Sequence, residues 1–238
     1  MILDDHYKIE YKNLLLDGWH YYIPKYASHR PAVRAIVNGQ IHEPETHKFV
    51  ETFCSKYDGS IIHAGTFFGD MLPNFSKFVQ GNVYAFEPVL ENYVLAKLSV
   101  ERNQLLNVVL TNSALSEKVG NLQMETKQEN GLHAGGASRV AASGQICSSL
   151  TIDCLGANDI VLIQLDVEGH ELMALKGAEQ TIKKCRPVIA IEDNSRDCTE
   201  FLELHGYSFV RQIPGLRILV PKENFEKKEF VLGILRSR

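Results

Sequence analysis

From residue 60 onward the chain alternates between two hydrophobic rhythms. Short, nearly unbroken apolar runs occur at 60–64, 82–86 ("NVYAF"), 107–111 ("NVVLT"), 160–165 ("IVLIQL") and 187–192 ("PVIAIE"). Runs of strand length that are apolar at successive positions predict a parallel sheet covered on both faces. Segments 70–79, 89–103, 170–184 and 196–205 follow a helical period instead. In the third of these, Leu172, Leu175, Ala178 and Ile182 make one apolar stripe, the mark of a helix packed on a core. The chain then changes character: "GYSFVRQI" and "GLRILVP" flank Pro214-Gly215, a hairpin signature. The whole pattern predicts an α/β fold, a doubly wound and mostly parallel sheet with an antiparallel C-terminal hairpin.

Two stretches fall outside this rhythm. Residues 1–48 carry many aromatics and histidines ("GWHYYIPKYASHRP") without a clear period. They are read as an N-terminal extension that caps the active-site end, with 49–238 as the main domain. Trp19, Tyr21, Tyr22 and Tyr26 either wall a sugar or ring site or fill the cover over the sheet. "HEPETH" is no zinc helix, because His42 and His47 stand five apart with Pro44 between them, and two ligands on one helical face need a step of four. Pro44 predicts a helix start instead. Residues 127–149 hold four glycines and many small polar residues. A loop of that length is either a mobile flap over a site or a plain surface excursion.

Composition narrows the function classes. The 25 Lys and Arg against 29 Asp and Glu give a formal charge of −4. That balance, with no run of basic residues, argues against a nucleic-acid partner. The five cysteines are odd in number and widely spaced, which suits reduced thiols and a cytoplasmic location. The start, "MILDDHYKIE", has acids where a secretory signal would be basic and then apolar. No apolar run approaches the roughly 18–20 residues of a membrane span. Oligomeric state stays open.

The chemistry gathers at the carboxyl ends of the strands, where open parallel sheets bind ligands. The first strand ends in "IIHAGTFFGD". Gly65 allows positive φ and close backbone approach, and Gly69 opens the following helix. The second strand ends at Glu87, 22 residues after Gly65. A carboxylate there can accept hydrogen bonds from both hydroxyls of a ribose. Bulky residues separate the two glycines and no third glycine completes a pyrophosphate fingerprint. A nucleoside ligand without a pyrophosphate is favoured.

Six pieces in order, "IIHAGTFFGD", "VYAFEPVLENYVLAKLSVERN", "NVVLTNSALSEKVGNLQM", "SLTIDCL", "VLIQLDVEGHELMALKGAEQTIKKCRPVIAIE" and "HGYSF", resemble the FkbM family of class I S-adenosylmethionine-dependent methyltransferases. They span roughly residues 60–210, and "LDVEGHELMALKGA" is the most specific. The resemblance implies a seven-stranded Rossmann-like sheet with S-adenosylmethionine as cosubstrate. It places His63, Gly65, Thr66, Gly69 and Glu87 about that ligand, and Ser113 and Ala114 beside its adenine. The family commonly has Asp where this chain has His63. That imidazole either accepts a hydrogen bond from the ligand's ammonium or packs at the strand end.

Acids crowd the ends of the fourth and fifth strands: Asp166, Glu168 and Glu171, then Glu192 and Asp193, with His170 among the first group. So many carboxylates need a proton or a cation between them. Asp166 is the first candidate for the base that takes a proton from an acceptor hydroxyl, with His170 second and Glu168 beside them. Glu171 suits the start of the next helix. Alternatively Asp166, Glu192 and Asp193 hold Mg2+ that acidifies the hydroxyl. Gly177, inside the fourth-strand helix, is expected to pack closely on a neighbour. Arg30, Arg34 and Arg139 either meet an acidic acceptor or stay solvated.

The expected activity is O-methyl transfer to a hydroxyl of a sugar, glycan or glycosylated small molecule. One rival is an NAD-dependent oxidoreductase on the same type of sheet. Another is a catalytically silent glycan- or protein-binding module, which the departure at His63 keeps open.

Overall fold

The computed structural model describes residues 9–192 and 195–236. The chain begins with a hairpin of β1 (Tyr11–Leu16) and β2 (Trp19–Pro24), then α1 (Pro31–Val37) and α2 (Pro44–Cys54). Five elements follow in strict alternation: β3 (Ser60–Ala64), α3 (Leu72–Phe78), β4 (Val83–Phe86), α4 (Leu90–Arg102) and β5 (Val108–Thr111). Next come four short strands, β6 (Ala114–Leu115), β7 (Gly120–Glu125), β8 (Arg139–Ala141) and β9 (Gln145–Leu150). The chain closes with β10 (Ile160–Leu165), α5 (Glu171–Lys176), α6 (Glu179–Cys185), β11 (Val188–Ile191), α7 (Asp197–Leu204), β12 (Tyr207–Ile213), β13 (Leu216–Pro221) and α8 (Phe225–Arg236).

Seven strands form the main sheet in the order β12-β13-β11-β10-β3-β4-β5. Strands β11, β10, β3, β4 and β5 pair in parallel, and β13 runs antiparallel to both neighbours. This is the Rossmann-like class I methyltransferase arrangement. The strand order reverses between β3 and β10, so their carboxyl ends flank the crevice where such sheets bind ligands. Alternate residues of β3 serve opposite faces, as a strand's two-residue period requires. Ile61 joins a core with Phe49, Phe53 and Phe75, and Ile62 joins another with Ile163, Leu175 and Ile182. Among the described residues no helix is long and apolar enough to cross a membrane.

Three differences from the sequence pattern have local causes. The helix expected over 170–184 is two helices, because α5 ends at Gly177 and α6 begins two residues later. A Cβ on Gly177 would lie 2.0 Å from the Ser116 carbonyl oxygen. The close packing is therefore real, and it coincides with the break. Asp153 starts α6 by accepting hydrogen bonds from the backbone N–H groups of Gln180 (3.0 Å) and Thr181 (2.8 Å). Gly177→Ala should cost about 1–3 kcal/mol through this overlap. Urea titration checks it, and an unchanged midpoint would contradict it.

The segment 127–149 is not a loop throughout, since it carries β8 and most of β9. The latter pairs with β7 and β6 in a second sheet of order β6-β9-β7-β8. Residues 9–48 also hold more structure than their pattern shows. Strand β2 lies along α4, where the Asn103 side chain accepts from His20 N–H (2.9 Å) and donates to His20 C=O (2.8 Å). Tyr21 is fully buried and packs in one cluster with Ile23, Val33, Phe67 and Phe68. These aromatics fill the cover.

Candidate active site

Gly65 follows the last residue of β3 at φ +91°, and a Cβ there would lie 1.9 Å from the Asp166 carbonyl oxygen. Only glycine lets the ends of β3 and β10 approach so closely. The chain then turns through Thr66, which is buried, and Phe67, held at φ +50°. A non-glycine residue in the left-handed region is strained and needs fixing by its surroundings. The fixing group is Glu87, whose Oε2 accepts a 2.7 Å hydrogen bond from the Phe67 N–H. Gly69, at φ +82°, packs its bare Cα against Ala96 of α4.

Glu87 stands one residue past β4 and is 4% exposed. Its Oε1 accepts from the Val89 N–H (2.8 Å) and from Asn92 Nδ2 (3.3 Å). Burial pushes this carboxyl up to about 8, against the downward pull of those three donors. Oε2 keeps a lone pair for a further donor. Asn92 is a junction that the sequence did not announce. Its carbonyl oxygen accepts from the Tyr26 hydroxyl (2.8 Å), and its amide also donates to the Gly135 carbonyl (3.4 Å). Thus α4, the N-terminal segment and the 127–149 segment meet at the amide that steadies Glu87.

Two cavities open at this end of the sheet. The first runs from Gly65 past Glu87 to Ser113 and Ala114, with Met124 and Val140 of the small sheet behind and His170 at its rim. The second lies over the glycine turn, lined by Arg30, His42, Glu43, Phe67, Asp70 and Glu192 among others. Gly65, Gly136, Asp166 and Glu168 border both. The Ser113 hydroxyl is directed at the Ser148 carbonyl (3.1 Å) and its neighbour's carbonyl. What Ser113 and Ala114 offer the cavity is chiefly wall and backbone. Asp70 is pushed up to about 6 by burial, with His42 at 3.9 Å holding it down.

Asp166, one residue past β10, is pushed well above the usual carboxylate range, first by burial and then by Glu192. The Glu192 carboxyl is thus a close neighbour that disfavours the Asp166 charge. Glu171 comes close, and one oxygen from each of Asp166, Glu171 and Glu192 lies within 4.8 Å of the others. Glu171 also accepts from the N–H groups of Val167 (2.8 Å) and Gly169 (3.3 Å), closing the turn before α5. Asp193, the third metal ligand expected from sequence, lies outside the described residues. Glu168 sits at φ +55°, raised by burial and held down by Arg30 and Arg139. His170 Nε2 lies 3.0 Å from the Ser116 hydroxyl, and burial lowers its basicity.

His63 lies apart from these groups. It borders neither cavity. Its ring pairs with Gln164 on β10 and stands edge-on to Phe75 of α3, 5.1 Å between centroids. Burial lowers it to about 4, so it is neutral in the fold.

Comparison with known proteins agrees with this architecture. A family model described as the methyltransferase FkbM domain matches residues 63–213. No curated protein sequence matches the chain. Among solved structures, methyltransferase FkbM from Methylobacillus flagellatus KT superposes with a TM-score of 0.51 at 16% identity, over 68% of this chain and 43% of that one. The chain thus spans less than half the length of that protein. A methyltransferase from Geobacter sulfurreducens gives a TM-score of 0.46 at 14% identity, over 81% of this chain and 90% of that one. A SAM-dependent methyltransferase from Aquifex aeolicus gives 0.42 at 19% identity, over 75% and 92%. At 16% identity the likeness to the Methylobacillus flagellatus protein is one of fold.

Proposed function

Since the chain belongs to the FkbM methyltransferase family, we propose that it transfers the methyl group of S-adenosylmethionine to a hydroxyl oxygen of a sugar, glycan or glycosylated small molecule. The observation that carries this reading is the junction of the two cavities at Gly65, Gly136, Asp166 and Glu168. One cavity suits a nucleoside, the other has room for the ligand's tail and an acceptor beside it, and their shared wall carries carboxyls where a proton must leave.

The residues fit the cosubstrate. Glu87 is a buried acceptor at the end of β4 with a lone pair to spare, the group a ribose hydroxyl requires. Gly65 lets the backbone of the first turn approach a ligand closely, Thr66 is buried within that turn, Gly69 packs it on α4, and Ser113 and Ala114 wall the far side for adenine. When bound, S-adenosylmethionine supplies an activated methyl on a sulfonium. The protein's remaining work is to align the acceptor oxygen, exclude water and accept one proton.

Asp166 is the proposed base. Burial and the neighbouring Glu192 raise its proton affinity, which makes its ionised carboxylate a stronger base than an ordinary one. Glu168 faces the same junction and His170, neutral and held by Ser116, borders the nucleoside cavity. Because the ionised form is the active one, transfer should rise with pH through the elevated range of Asp166 and then level.

Incubation with methyl-labelled S-adenosylmethionine and cell extract tests the reading. Label is expected on a sugar-bearing or small hydroxyl compound. Asp166→Asn should lower kcat about 100-fold or more while leaving S-adenosylhomocysteine affinity within a few fold. Label on nitrogen, or an unimpaired Asp166→Asn, would contradict it. A divalent metal at Asp166, Glu171 and Glu192 is the second reading, favoured by their convergence. Loss of transfer on chelation, restored by Mg2+, would select it.

A further inference from the structure

The second cavity is acidic. Glu43, Asp70, Asp166, Glu168 and Glu192 all border it. The proposed cosubstrate nevertheless ends in a carboxylate, and its methionine tail must extend from the nucleoside cavity over the glycine turn. An anion placed among five carboxyls is unfavourable unless a fixed cation meets it. Among the described residues bordering either cavity, Arg30, His42 and His170 are the only Arg, Lys or His side chains. His42 already lies beside Asp70. His170 is at the nucleoside end, against Ser116. Arg30 alone is permanently charged.

Its position is also right. Arg30 immediately precedes α1 and is half-buried. Its stem flanks Gly135: a Cβ on that glycine would lie 3.0 Å from Arg30 Cγ and 3.1 Å from Phe67 Cζ. The stem of Arg30 therefore lies beside the Phe67 ring, and Arg30 lines the second cavity together with Gly65 and Phe67 of the turn. No hydrogen bond or ion pair within 4 Å among the described residues engages that guanidinium, although Glu168 feels its charge. A half-buried, planar, five-donor group without a partner is suited to grip a carboxylate with two parallel bonds.

We propose that Arg30, from the segment that precedes the family-matched region, binds the carboxylate of the cosubstrate's methionine tail. The inference rests on the adenosyl reading above. It assigns to the N-terminal segment a direct part in binding, beyond covering α4. It also accounts for two glycines in succession at 135–136. Side chains there would strike Phe67 and the Arg30 stem and displace the guanidinium.

Two probes separate this claim from the one beneath it. S-adenosylhomocysteine carries the amino-acid tail, and 5′-methylthioadenosine lacks it. Calorimetry on the wild-type chain should show both binding. Arg30→Met should weaken S-adenosylhomocysteine by about tenfold or more, the loss of a charge-assisted bond, and leave 5′-methylthioadenosine unchanged. Retained binding of the short ligand reports that the variant is folded. Arg30→Lys should fall between, and Arg34→Met, an exposed cation on the same segment, should match wild type for both ligands. Equal losses for the two probes, or no loss for either, would overturn the assignment of Arg30 while the adenosyl site stands. A wild-type chain that binds neither probe would remove both readings.

Discussion

Gly65→Ala should destabilise the protein by at least about 3 kcal/mol and abolish binding of any adenosyl ligand. The residue is held at φ +91°, where a Cβ costs about 1–2 kcal/mol in backbone strain. The added methyl would also lie 1.9 Å from the Asp166 carbonyl oxygen and 2.9 Å from its carbon. Neither partner can easily yield. Ala64 and Leu165 are paired in register, and the Asp166 N–H donates to the Ala64 carbonyl at 3.1 Å. Relief would mean parting β3 from β10 at the crevice itself, which would move Asp166 as well as the turn. Denaturant unfolding gives the stability and calorimetry the binding. An alanine variant with wild-type stability would mean that the strands do not meet as described.

The second large effect is on pH. Glu87 is pushed up to about 8 by burial in the free chain. Hydroxyl donors bind its ionised form, so ligand binding expels a proton below that pH. Affinity for S-adenosylhomocysteine should therefore strengthen by up to about tenfold per pH unit between 6 and 8 and level above. Glu87→Gln, which cannot ionise, should flatten this profile while preserving an acceptor oxygen. Folding stability moves the other way. The native carboxyl keeps its proton up to about 8, whereas the unfolded one loses it near its ordinary value of about 4.3. The free protein binds more protons than its unfolded chain in that window, so stability falls as pH rises through it. Asp166, raised for the same first reason, adds to the trend. A flat affinity profile in wild type would remove Glu87 from the binding event.

The regular half of the molecule was legible because burial on both faces writes a simple pattern. Ile61, Ile62, Ile163 and Ile189 are all fully buried, and such strands read as unbroken apolar runs. Glu87 and Asp166 were legible for a related reason: each is the first acid after such a run. The missed elements carry weaker signals. Strand β9 alternates Cys147 and Ser149 inward with exposed Ile146 and Ser148, too few apolar residues to stand out. The first hairpin did leave a mark. Asp17-Gly18, both at positive φ, is a standard two-residue turn between strands, hidden among aromatics with no even alternation. Helix 170–184 misled because the apolar stripe continues across a backbone contact at Gly177 that only the fold creates. His63 could not be placed by its sequence position alone. Its side of β3 is set by register with Gln164, which turns the ring toward Phe75 and away from both cavities. Asn92 owes its role to tertiary contacts that no spacing encodes, as does the approach of Glu171 to Asp166 and Glu192, whereas the place of Glu171 at the start of α5 was legible.

Calorimetric titration at pH 8.5 of wild-type protein and Glu87→Ala with S-adenosylhomocysteine, and of wild type with NAD, addresses the adenosyl site most directly. The expected result is binding of S-adenosylhomocysteine by wild type, a loss of about tenfold or more in Glu87→Ala, and no heat with NAD. Binding of NAD alone, or S-adenosylhomocysteine held equally well without the Glu87 carboxylate, would contradict the account.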